Sequence, residues 1–277
     1  MTSLVTVVIP NFNGAKYLND SINSVLAQDY TNIEIVVVDD GSTDESLAIL
    51  ERYGTKITLI KQRNKGSGAA RNAGINLASG EYIALLDSDD IWKDNKIRIQ
   101  ISLLENGDYD LVYCGGQEFS AKLEKGLIHV PQYSGDCYQY FRRFPTKGII
   151  ELGCSTAVFR ASVLKCSGLF DESFMGAAED WDFFRRYAKF AKVGFSPEVL
   201  VWYRKHADSI TARALSDYYE GNRRAIINMF REDKEIGHFE KRRVWLKFHL
   251  MIIKSNLKKF YFVESLKYFV KLFQRIL

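Results

Sequence analysis

The strongest constraint on this 277-residue chain is a rhythm in its first 120 residues. Short β-branched runs at residues 5–9, 33–38, 57–60, 82–86 and 111–113 alternate with helical periodicity at 16–27, 44–53, 67–77 and 95–104. Strands alternating with helices are joined by right-handed crossovers. The expected fold is therefore α/β, with a mainly parallel central sheet flanked by helices. Such sheets bind ligands beyond the carboxyl ends of their strands. The first run leads into Pro10-Asn11-Phe12-Asn13-Gly14 and the second into Asp39-Asp40-Gly41-Ser42-Thr43-Asp44. The third leads into Asn64-Lys65-Gly66-Ser67-Gly68 and the fourth into Asp87-Ser88-Asp89-Asp90. All four loops should open on one sheet edge.

Hydrophobic residues at 47% and charged residues at 26% exclude wholesale disorder and a disulfide-stapled miniprotein. The cysteines (Cys114, Cys137, Cys154, Cys166) show no metal spacing and read as free, mostly buried thiols. Residues 5–9 run straight into Pro10, as a first strand does and a signal peptide does not. No run of 18 apolar residues exists, and the chain reads as cytoplasmic. Residues 120–150 read as a loop-rich excursion with short strands. Beyond it a strand is expected near 156–159, a helix near 179–192, and strands near 193–196 and 199–202. Residues 214–277 contain no proline and read as helical throughout.

Asp87 and Asp89 concentrate negative charge at one strand mouth, a repulsion that a hard divalent cation resolves. The structural alternative is a solvated turn, with Asp90 capping the next helix. Asp39 can accept hydrogen bonds from a base or a ribose, or can simply hold a turn. Gly66–Ala70 lets backbone approach a ligand, with Arg71 one helical turn in as a cation; close helix–sheet packing with Arg71 at the surface is the alternative. Glu179-Asp180 opens a helix, as a general base or as acids favoured by the helix dipole. His206 follows the last strand among polar neighbours.

Together these motifs resemble the inverting glycosyltransferase family 2, whose members have the GT-A fold. The matching pieces are "VVIPNFNG", "IEIVVVDDGSTDES", "NKGSGAARNAGI", "GEYIALLDSDD", "GLFDESF…AAEDWDFFRR" and "VWYRKHADSIT". The resemblance covers about residues 4–210. It implies a GT-A catalytic domain over 1–213, with a nucleotide-binding part at 1–115 and an acceptor part at 116–213, then a basic and aromatic helical extension at 214–277. By the same resemblance Phe12, after Pro10 and Asn11, lies against the uracil ring and Asp39 reads the base. Arg71, Asp87 and Ser88 meet the nucleotide. Asp89, with Asp87 and His206, holds Mg2+ or Mn2+, and Asp180 is the catalytic base. The donor would be a nucleotide-sugar, UDP-linked, and the acceptor a glycan or a lipid-linked glycan, in bacterial polysaccharide assembly. Nucleotidyl transfer is the rival within enzymes, but the Gly-rich loop ending in Arg and Lys that it uses after the first strand is missing. A non-catalytic nucleotide- or glycan-binding relative is the other rival, and every acid that the transfer needs is present.

Net charge is +4, unevenly placed. Residues 241–277 hold ten Lys or Arg and one acid, Glu264, leaving −5 on the rest. On a helix over 257–277, Phe262, Leu266, Phe269 and Phe273 share one stripe, with Lys267, Lys271 and Arg275 opposite. That pattern suits a helix lying at an anionic membrane surface, at the inner face of the cell membrane. The alternatives are packing on the catalytic domain or a homodimer contact. No nucleic-acid module accompanies the charge.

Overall fold

The structure, a computed structural model, describes residues 2–120, 124–142, 153–174, 177–206 and 215–258. In chain order the first elements are β1 (Val5–Asn11), α1 (Leu18–Leu26), β2 (Ile33–Asp39), α2 (Ser46–Glu51), β3 (Thr58–Lys61) and α3 (Ser67–Leu77). There follow β4 (Tyr82–Leu85), β5 (Ile91–Trp92), α4 (Lys96–Asn106), β6 (Leu111–Ser120), β7 (Lys125–His129) and α5 (Tyr138–Phe141). The remainder are β8 (Ala157–Arg160), α6 (Leu164–Ser167), α7 (Glu179–Ala188), β9 (Val193–Lys205), α8 (Leu215–Glu232) and α9 (His238–Lys258).

The strand order is β3-β2-β1-β4-β8-β6-β9-β5, with β7 pairing β6 beside this path. Strands β1 to β4 are parallel, as the alternating pattern requires. Beyond β4 the sheet is mixed. Strand β8 runs antiparallel to both β4 and β6, while β6 and β9 are parallel. The neighbour of β4 is not the next strand in the chain, so the crossover rule for successive strands does not set its direction.

Along β1, Val5, Val7 and Ile9 join one buried cluster with Leu18, Ile22, Ile97 and Ile101. Val8 faces the other side, with Ile75 and Ile83. This period of two, buried on both faces, explains the unbroken apolar run in the sequence. Pro10 is tolerated because the β1–β4 ladder has ended by Val8, so its missing N–H costs no ladder bond. Helix α3 lies close to this layer at Gly74, where an added Cβ would stand 2.4 Å from Val8 Cγ1. Gly74→Ala is expected to destabilise by about 1–3 kcal/mol through overpacking. Urea unfolding tests this, and an unchanged midpoint would show that the helix can shift without cost.

The two strands expected at 193–196 and 199–202 are one strand, β9. Pro197 does not break it, because the β6–β9 register shifts between Cys114 and Gly116, and the extra residues of β9 bulge there. Cys114, Cys137 and Cys154 are buried free thiols, and Cys166 is exposed.

Helices α8 and α9 share a core of Tyr219, Ile226, Met229, Ile236, Val244, Phe248 and Ile252. The hairpin reaches α7 through partly buried Trp181 and through Arg185 Nη2, 2.6 Å from Glu232 Oε2. Phe248 is therefore a core residue. The stripe at 262–273 lies outside the described residues. Among the described residues no helix is long and apolar enough to cross a membrane.

Candidate active site

The strand-end loops meet, and short polar side chains bind them. Asn11 Nδ2 donates to Asp39 Oδ1 (3.0 Å) and to Ser42 Oγ (3.1 Å). Asn13 Oδ1 accepts from the Thr43 N–H at 2.7 Å. These bonds join the first loop to the second. Asp40 joins the second to the third, since its carboxylate accepts from the N–H groups of Lys65 (2.9 Å) and Gly66 (2.8 Å). Asp39 and Asp40 are both buried, but they differ in use. Asp40 closes a loop. Asp39 stands between Asn11 and the Ser42 N–H, which donates to its Oδ2 at 3.0 Å, one residue from half-exposed Phe12. Pro10 is buried in β1 and presents no side-chain polar group.

The third loop is tied to the fourth by Arg71. Its guanidinium donates from Nη2 to Asp87 Oδ1 (2.7 Å) and from Nη1 to Glu179 Oε1 (3.2 Å). Ser67 Oγ also donates to Glu179 Oε1, at 2.7 Å. Arg71 is buried, not at the surface, and its charge is held between two carboxylates. The sequence alone suggested a cation facing the nucleotide. The structure adds a brace between the strand mouth and the start of α7.

Asp180, the next residue, is partly buried, and its Oδ1 accepts from the Trp181 N–H at 2.7 Å. Burial first, then the neighbouring Glu179 charge, push its carboxyl up to about 6. Gly153 faces it with φ of 67°, and an added Cβ there would come within 3.2 Å of Asp180 Oδ2. Only a glycine both accepts this backbone conformation and leaves the carboxylate its space.

On the other side of the mouth, His206 Nε2 and Asp89 Oδ2 are 2.9 Å apart. The His206 ring packs on Tyr17, with centroids 4.7 Å apart. Arg204 fixes this arrangement. Its Nε donates to the Asp89 carbonyl (2.8 Å), its N–H to Asp90 Oδ1 (3.0 Å) and its Nη2 to Asp20 Oδ2 (2.8 Å). Burial, then the charge of Asp87, raise the Asp89 carboxyl, and the bond to His206 opposes them. Ser88 lies beside the first loop, with its Oγ 3.0 Å from where a Cβ on Gly14 would be.

Asp90 does not cap a helix. It is fully buried and accepts from Ser155 Oγ at 2.6 Å as well as from Arg204. Ser155 Oγ in turn accepts from the Asp87 N–H at 3.1 Å. Ser155, Arg204 and Tyr17 were missed in the sequence. Arg204 had a faint signal, two residues before His206, while Ser155 and Tyr17 had none.

Carboxylate oxygens with one imidazole suit Mg2+ or Mn2+. Among the described residues no three His, Cys, Asp or Glu side chains form a ready-made metal cluster. The donor set still fits, because such ions are commonly held by one or two side chains together with substrate phosphates.

Residues 6–168 match the family model described as Glycosyl transferase family 2, and residues 136–260 match one described as Glycosyltransferase like family 2. An uncharacterised glycosyltransferase of Rickettsia prowazekii (strain Madrid E) is 37% identical over 221 residues, covering 78% of this chain and 69% of that protein. One from Haemophilus influenzae (strain ATCC 51907 / DSM 11121 / KW20 / Rd) is 30% identical over 220 residues, covering 76% and 68%. Among solved structures, residues 1–349 of Staphylococcus aureus TarS in complex with UDP-GlcNAc superpose with a TM-score of 0.70 at 23% identity, covering 90% of this chain and 73% of that one. The mannosyltransferase PcManGT of Pyrobaculum calidifontis, in complex with GDP-Man and Mn2+, gives 0.64 at 18% identity, covering 91% and 72%. The structural likenesses establish the GT-A fold. The chain belongs to glycosyl transferase family 2 and is a glycosyltransferase.

Proposed function

We infer that the protein transfers a sugar, with inversion, from a UDP-sugar to a hydroxyl of a glycan or lipid-linked acceptor, in polysaccharide assembly. The observation that carries this reading is the Asp39 carboxylate and the Asp89–His206 pair at the strand ends, with the start of α7, where Asp180 stands, tied to Asp87 through Arg71. Half-exposed Phe12 offers a stacking face for a base, and Asp39 an acceptor for its N–H. UDP-GlcNAc on TarS and GDP-Man on PcManGT support a nucleotide-sugar donor.

Asp180 takes the acceptor proton as the acceptor oxygen bonds to the anomeric carbon. The bond from that carbon to the diphosphate oxygen breaks, and its electron pair leaves with the diphosphate. One displacement inverts the anomeric centre, so an α-linked donor gives a β-linked product. Arg71 holds Asp87 and Glu179, and so fixes the distance between donor and base sides. Asp89 and His206, with Asp87, are the residues that would hold Mg2+ or Mn2+. When bound, the ion supplies neutralisation of the leaving diphosphate.

A screen of nucleotide-sugars for nucleoside diphosphate release with Mn2+ tests the reading. UDP-sugars should turn over to UDP and sugar, with no nucleotidylated product. Turnover of no donor would favour a non-catalytic binding role. Asp89→Asn should weaken UDP binding by tenfold or more in Mn2+ and scarcely change it in EDTA, a loss of about 1.4 kcal/mol or more. Titration calorimetry in both buffers measures this, and equal affinities in Mn2+ would remove Asp89 from the metal role.

A further inference from the structure

Helix α9 is amphipathic twice over. Its inner side carries Val244, Phe248 and Ile252, all buried in the hairpin core. Directly opposite, at positions spaced by seven and four residues, stand Phe239, Leu246 and Leu250, which are 83%, 39% and 50% exposed. Ile253 extends the same line. This outer apolar stripe is bordered by Arg242 on one side and by Arg243, Lys247 and Lys254 on the other. The sole acid of the helix, Glu240, is 3.3 Å from Arg142 Nη2 and so adds little free negative charge. A cleft of about 320 Å³ opens beside the stripe, lined by Gln139, Phe239, Glu240, Arg243, Val244 and Lys247.

Exposed Phe and Leu flanked on both sides by Arg and Lys complement an anionic lipid surface. The apolar side chains enter the acyl boundary, and the cations meet headgroup phosphates. The cleft, with Arg243 and Lys247 in its wall, has room for one such headgroup. We propose that the outer face of α9 docks the enzyme on an anionic lipid bilayer. This deepens the reading of a lipid-linked acceptor given above and rests on it for the purpose of docking. The surface is not the stripe expected at 262–273. It lies on α9 itself, earlier in the chain.

The test is co-sedimentation with vesicles of phosphatidylcholine alone and of equal parts phosphatidylcholine and phosphatidylglycerol. The full chain should bind the anionic vesicles only, and less so as salt rises. Arg242→Gln with Arg243→Gln should weaken binding about 25-fold, at about fivefold per charge. Phe239→Ser with Leu250→Ser should also weaken it, at unchanged charge. Both pairs lie on the surface and should keep the wild-type melting temperature and UDP release from a soluble donor. Failure of the full chain to bind anionic vesicles, or binding indifferent to both variant pairs, overturns the proposal. So does self-association lost in Phe239→Ser/Leu250→Ser without vesicle binding, which would give the face to a second copy. Displacement by inorganic phosphate beyond that by chloride at equal ionic strength would reduce the site to an anion pocket and overturn the lipid assignment. If vesicles bind as expected but no donor turns over, the catalytic reading fails and the docking surface stands.

Discussion

Asp180→Asn should lose transfer by about 10²–10⁴-fold, the usual cost of removing a positioned general base. UDP affinity should stay close to wild type, because the base acts on the acceptor. The same substitution should make the protein more stable. In the folded state burial and the Glu179 charge raise the Asp180 carboxyl to about 6, against an ordinary value of 3.8. Between those values the folded state binds more protons than the unfolded one, so stability falls as pH rises through the window. Above it the ionised carboxylate carries a constant penalty of about 1–3 kcal/mol. Asparagine removes that penalty and can still accept the Trp181 N–H bond. At pH 7.5 the variant should melt above wild type, and the gap should close as pH falls below about 4. Wild-type turnover should decline as pH falls through about 6, as the base becomes protonated. Turnover within a few fold of wild type would reduce Asp180 to an ordinary acid at a helix start.

Arg71→Ala should be the most damaging single change to stability, costing about 3–5 kcal/mol. It leaves the Glu179 carboxylate, 8% exposed, and the partly buried Asp87 carboxylate without their shared cation. Arg71→Lys keeps the charge but cannot span the 2.7 and 3.2 Å contacts made by two separate guanidinium nitrogens, so it should recover only part of the loss. Urea unfolding with UDP binding measured alongside separates the brace from a direct nucleotide contact. If Arg71→Lys has wild-type stability but loses UDP affinity, the cation serves the nucleotide and the brace is incidental.

Strands β1, β2 and β4 were legible because each is a buried apolar run that ends in turn chemistry, so local pattern and tertiary role agree, while β3 is an edge strand with Thr58 and Lys61 exposed. The helix at 67–77 was legible to the residue, since Gly66 stops the preceding loop at φ of 92°. What was not legible depends on partners far away in the chain. Asp90 reads locally as a cap, yet its partner Arg204 comes 114 residues later. Arg71 reads as a surface cation until Glu179 arrives to bury it. Strand β7 is exposed on both faces, with the apolar Leu127 and Ile128 adjacent in the chain, so no alternation marked it. Residues 193–196 and 199–202 read as two strands, and only the paired register of β6 shows one. The acids of the site were visible as types, but the supports that aim them, Ser155 and Tyr17, carry no motif.

Strand β4 has β1 on one side and β8 on the other, with Tyr82 opposite Arg160. On a ribosome this pairing sets an order of events. The strand emerges about 80 residues before its second neighbour, and synthesis at about 5–20 residues per second leaves it waiting about 4–16 s. During that interval the N-terminal parallel layer presents an unpaired edge of Tyr82, Ile83, Ala84 and Leu85, the kind of edge that recruits chaperones or other nascent chains. The sheet therefore closes late, and the residue that closes it lies only about 20 positions before Asp180. Folding of the N-terminal parallel layer and delivery of Asp180, the base proposed above, become a single step, so the nascent chain cannot complete that layer's sheet long before it gains Asp180.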